Sequence, residues 1–117
     1  MAKIKVDERK VDNEVSRLDR IFVEIDTNMK ELIAPFIRNY AFITVYIEIL
    51  RGEIHKNGMT EKYDNGGGQI GIKESVWVKL HKDYTKLQKD CIKTLAGYVP
   101  KSKRKETMLA AMRESND

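Results

Sequence analysis

A single cysteine, two prolines and one tryptophan show what this 117-residue chain does without. One cysteine, Cys91, excludes an internal disulfide. No Cys-x-x-Cys or His-x-x-x-His spacing gives a metal two ligands, so neither metal nor cofactor is expected. No apolar run reaches bilayer length, and the start, MAKIKVDERK, lacks the apolar core of a signal peptide. The expectation is a soluble cytoplasmic protein with no membrane partner. Charge of one sign is also scarce. Against 22 Lys and Arg stand 18 Asp and Glu, and a net charge of +4 permits an acidic partner without demanding one. The length suits one domain.

What is present is helical periodicity. Val11, Val15, Leu18, Phe22, Ile25, Met29 and Leu32 follow one another in alternating steps of four and three. Such a heptad stripe predicts one helix over roughly residues 7 to 33. Pro35 lacks an N–H and clashes with the preceding turn, which predicts a kink or break there. Beyond it, Phe36, Ile37, Tyr40, Ile43, Val45, Tyr46, Ile47, Ile49 and Leu50 are apolar on more than one side. They read as a central helix ending before Gly52. Trp77, Leu80, Tyr84, Leu87, Cys91 and Leu95 form a second amphipathic stripe, with Ser75 as N-cap and Gly97 as C-cap. Ser102 opens a short last helix carrying Met108, Leu109 and Met112.

Between the second and third helices lies a glycine-bearing segment, residues 52–73, with Asn57-Gly58 and Asn65-Gly66 turn signals. It reads as a polar loop or a short β-hairpin, Met59–Tyr63 facing Gln69–Ile72. Its "DNGGGQIGIKES" comes close to a phosphate-cradling loop. Gly66 and Gly71 have the required separation, but Ile72 stands where lysine must follow, and no apolar strand precedes. The glycines therefore read as a turn. His55 and His81 are far apart, and His81 among Lys79, Lys82 and Asp83 reads as a surface residue. Cys91 at a heptad position reads as a small core residue, and Trp77 and Tyr84 as core anchors. No catalytic residue is assigned.

Two basic clusters remain as DNA-binding candidates: Lys3 and Lys5 at the start, and Lys101, Lys103, Arg104 and Lys105 near the end. The organisation expected is a basic N-terminal tail (1–6), a helical core (7–99) and a basic C-terminal helix and tail (100–117). The fold class expected is all-α: a long antiparallel helical hairpin, the loop or β-hairpin, a third long helix and a short C-terminal helix. Phe22, Met29, Tyr40 and Tyr46 are the residues expected to meet adjacent copies.

The segment "TLAGYVPKSKRKE", residues 94–106, carries Gly97, Pro100, Ser102 and Lys103 or Arg104 in a recurring order. With the helical pattern and the upstream "NGGGQ", it resembles the signature that ends the last main helix in small subunits of tailed-phage terminases. The branch it is most similar to is the P-twenty-seven-like family of phages and prophages. The resemblance spans roughly residues 15 to 106, although Ile72–Ser75 replaces the Asn-Pro or His-Pro usual before that helix. It implies a non-catalytic protein that assembles into a ring. Such a protein engages double-stranded viral DNA and presents it to a large subunit with ATPase and nuclease activity. From the heptads alone, a small coiled-coil adaptor that binds a protein and no DNA is the other reading.

Overall fold

The computed structural model describes residues 5–22 and 26–98. The expected C-terminal helix lies outside them. The elements run α1 (Glu8–Ile21), α2 (Thr27–Asn57), β1 (Thr60–Asp64), β2 (Ile70–Glu74) and α3 (Val76–Ala96). The chain is thus mostly helical but not all-α, because the glycine segment folds as an antiparallel hairpin. Its register pairs Thr60 with Glu74 and Asp64 with Ile70.

The first helix ends earlier than its heptad stripe suggests. The Phe22 N–H closes α1 on the Leu18 carbonyl at 2.9 Å. A new helix then starts at Asp26, whose carboxylate accepts from the Asn28 N–H at 3.1 Å. That cap satisfies an N–H that a helix start leaves orphaned. The break therefore falls before α2, and Pro35, where a kink or break was expected, sits inside a helix that does not break there. The reason is orientation. Pro35 and Glu31 are both exposed, so the carbonyl that loses its partner faces water, while Ile33 and Ile37 point into the core. The apolar phase shifts with the break: Leu32, the last residue of the stripe, is 59% exposed. Gly52 likewise does not end α2, which runs on to Asn57 and is capped by Gly58 at φ 87°.

Helix α2 is the spine, as its all-round apolar character implies. Val11, Leu18 and Phe22 of the first segment pack with Ile33, Ile37, Tyr40, Ala41 and Val45 of α2, and Leu95 of α3 joins the same cluster. On the other flank α3 runs antiparallel to α2. Tyr84 stacks on Tyr46 with centroids 4.5 Å apart, and the Gln88 amide donates to the Thr44 hydroxyl at 3.0 Å. Ser75 caps α3, its hydroxyl accepting from the Val78 N–H at 3.2 Å. Contrary to the sequence reading, α2 is long and apolar enough, by length and composition, to cross a membrane. Ile33, Ile37, Tyr40, Ala41 and Val45 of α2 are instead buried in the core shared with α1 and α3, while Leu32, Phe36 and Phe42 stay exposed. With extents of 63 × 27 × 24 Å the molecule is elongated. Its radius of gyration of 17.9 Å compares with about 13 Å for a compact domain of this length.

Candidate nucleic-acid interface

Helix α3 segregates its charge as the other helices do not. Glu8–Ile21 carries four acids and four bases, and Thr27–Asn57 four bases and three acids, whereas Val76–Ala96 has five lysines against two aspartates. Lys79, Lys82, Lys86, Lys89 and Lys93 are spaced by three, four, three and four residues, and all are exposed. At 3.6 residues per turn they fall within an arc of roughly 80°, and from first to last they rise roughly 21 Å. Asp83 and Asp90 lie just beyond one edge of that arc. Tyr84, Gln88 and Leu95, which face α2, are turned away from it, while the buried Val78 and Ala96 border its other edge. Lys82 is paired with Glu74 at 2.5 Å. The other four have no ion-pair partner among the described residues.

A lysine is a point charge with three donors on a flexible stem, suited to phosphate oxygens and unsuited to reading bases. Each strand of a DNA duplex carries one charge per roughly 3.4 Å of axis, so the lysine arc runs beside about six phosphates. The arrangement can neutralise a backbone without specifying a sequence.

The expected site residues fare differently. Lys5 is described and exposed, ahead of α1. Lys3, Lys101, Lys103, Arg104 and Lys105 lie outside the described residues. Tyr40, expected to meet adjacent copies, is 1% exposed and belongs to the chain's own core, as does Phe22. Tyr46 is half-buried in its stack with Tyr84, and Met29 packs partly against the core cluster. The packing of α1, α2 and α3 within one chain thus uses Tyr40 and Phe22 fully, and Tyr46 and Met29 in part. The large apolar residues the helices leave exposed are Leu32, Phe36, Phe42 and Leu87.

The titratable candidates are occupied structurally. His81 is half-buried, not a surface residue, and its imidazole is pushed below the usual value by burial, with the Arg51 charge adding to the effect. The Cys91 thiol is pushed up by burial and by Asp90, which disfavours the thiolate a nucleophile needs. Among the described residues no three His, Cys, Asp or Glu side chains gather as metal ligands. The three glycines of the loop, Gly66, Gly67 and Gly68, all take positive φ in the hairpin turn, where the Asp64 carboxylate accepts from the Gly66 N–H at 2.8 Å. The lysine arc was readable in the sequence as a heptad of one charge. Apolar periodicity, which defines the helix, does not reveal it.

Comparison with family models, with characterised proteins and with solved structures gives no match, so the functional argument rests on this chain's own residues.

Proposed function

We propose that this chain is the non-catalytic small subunit of a tailed-phage DNA-packaging terminase. In this reading it forms an oligomer, a ring in the family it resembles, that engages double-stranded viral DNA. It hands the DNA to the large ATPase and nuclease subunit in the cytoplasm of an infected or lysogenic bacterium. The packaging context rests on the likeness of residues 94–106 to the family signature. The DNA-binding half rests on one observation, the exposed lysine arc of α3, which lines up five lysines on one face, four of them outside any ion pair among the described residues. The exposed Leu32 and Phe36 on α2 supply apolar surface that an assembly of copies would cover.

The competing reading, a coiled-coil adaptor, draws on an unbroken heptad from Val11 to Leu32. That run is interrupted after Phe22, which takes away its best support.

The test is binding of a DNA duplex, followed by fluorescence anisotropy across a series of salt concentrations. Changing Lys79, Lys82, Lys86, Lys89 and Lys93 to Gln should flatten the salt dependence by about 0.9 in log–log slope per lost phosphate contact. An unchanged slope would remove α3 from the DNA surface. Loss of all wild-type binding at physiological salt would return weight to the adaptor. Light scattering supplies the mass, and a monomer with and without DNA would refute the assembly.

A further inference from the structure

The β-hairpin is the part of the fold that neither helix packing nor the lysine arc explains. It projects from the end of α2, tied back by the Ser75 N–H to the Met59 carbonyl at 2.9 Å and by the Lys82–Glu74 ion pair. Ile70 and Ile72 are 70% and 68% exposed, the two most exposed large apolar side chains of the described residues. A lone two-stranded hairpin is marginal in water, and it gains stability from further strands or a cover for its apolar face.

The ladder shows which edge is free and for what. Bonds from Ser75 to Met59 and from Asn65 to Gln69 close the two ends of the hairpin. Opposed pairs in an antiparallel ladder alternate between hydrogen-bonded and not. The odd-numbered residues therefore bond inward, while Thr60, Lys62 and Asp64 on β1, and Ile70, Ile72 and Glu74 on β2, turn their N–H and C=O groups outward. Self-pairing through β1 would centre on Lys62 and set it against its own copy, a like-charge contact that guards the edge. Self-pairing through β2 centres on Ile72. It sets Ile72 against Ile72 and Ile70 against Glu74 on either side, opposes no like charges and uses every outward backbone group of the strand.

We propose that β2 pairs antiparallel with β2 of a second copy about a two-fold axis at Ile72. The resulting sheet has four strands, with Ile70 and Ile72 of both copies clustered on one face. Such a contact is isologous and closes on itself. One strand pair covers far less than the ~1,200 Å² of a stable standalone interface, so the contact acts together with helical surface. The contact joins copies in pairs and is distinct from the heterologous contact that would close a ring; it rests on the self-association proposed above and is independent of DNA.

The experiment is cysteine cross-linking in a Cys91→Ser background under mild oxidation, with the mass followed by light scattering. Across the two-fold, residue 72 faces its own copy at a Cα separation of ~5.5 Å, within disulfide reach. Residue 70 lies roughly 14 Å from its copy, four residues along the strand. Ile72→Cys should form a covalent dimer at least tenfold faster than Ile70→Cys. Ile72→Lys, which places like charges on the axis, should lower the assembly's mass while leaving the helical circular-dichroism signal intact. Equal cross-linking rates in a particle that scatters as an oligomer would overturn the strand pairing and leave the oligomer standing. A monomer that does not cross-link would overturn both.

Discussion

Replacing Gly71 with Ala is a small change whose sign the structure determines. Gly71 lies opposite Tyr63 in the hairpin, and the tyrosine ring covers it. A Cβ built on Gly71 would sit 2.4 Å from Tyr63 Cζ and 2.7 Å from Cε1, too close for any side chain. The ring must swing away, giving up its packing on the opposite strand and its place under the Lys73 ammonium, 5.7 Å from the centroid. Cross-strand packing is worth about 0.2–1 kcal/mol and an exposed cation–π contact about 0.5–1 kcal/mol. Ala in place of Gly gives back about 0.5–1 kcal/mol through the unfolded chain. The net expectation is a hairpin weakened by roughly 0.5–1 kcal/mol, which opens about two to five times more often. Amide hydrogen exchange at residues 61–73 reads this directly, and the amides of α2 should be unaffected because the hairpin stands apart from their packing. In a Tyr63→Ala background the obstacle is gone, and the same Gly71→Ala change should become stabilising. If the substitution slows exchange with Tyr63 in place, the ring does not depend on the bare glycine and the reasoning fails.

Four further outcomes are expected. Gly52→Ala, inside α2 near its C-terminal end with nothing near the added methyl, should stabilise by about 0.5–1 kcal/mol in urea melts. The Thr85 hydroxyl is buried and has no hydrogen-bond partner among the described residues, so Thr85→Val should raise the melting temperature by a few degrees, where a paired hydroxyl would make it fall. Arg38 reaches Asp12 and Glu8 at 3.2 Å each, but all three are exposed. Arg38→Ala should cost under about 1 kcal/mol and less in high salt, whereas Leu18→Ala in the core should cost about 2–5 kcal/mol. His81 holds its proton less tightly when folded than at the ordinary value of 6.5. Its contribution to stability is therefore complete above that pH and is lost as the pH falls through the lower folded value. His81→Gln should flatten that part of the stability–pH curve, and an unchanged curve would refute the assignment.

How much of this was legible depended on whether local chemistry and long-range packing agreed. Ser75 as a cap, the Asn65-Gly66 reversal and the central place of α2 were readable, because cap geometry, positive φ and all-round apolarity are local demands. The break between α1 and α2 was misplaced because Ile25 and Met29 continue the heptad across it. The cap at Asp26, followed by Thr27 and Asn28, was the available signal. Pro35 does not break α2 because its orphaned carbonyl, on Glu31, faces water and the flanking Ile33 and Ile37 are held in the core, and neither exposure nor packing is written in a sequence. Tyr40 was expected outward because a single helix cannot reveal that α1 and α3 close over both its flanks.

The elongation of the molecule has a hydrodynamic consequence. A rod more than twice as long as it is wide drags more solvent than a sphere of equal mass. A single copy will therefore diffuse slowly and leave a sizing column early, at the volume of a larger globular protein. Elution alone would overstate the mass of a monomer. Scattered intensity, which scales with mass whatever the particle's shape, is free of that error, and the gap between the two readings is itself a measure of how far the helices extend.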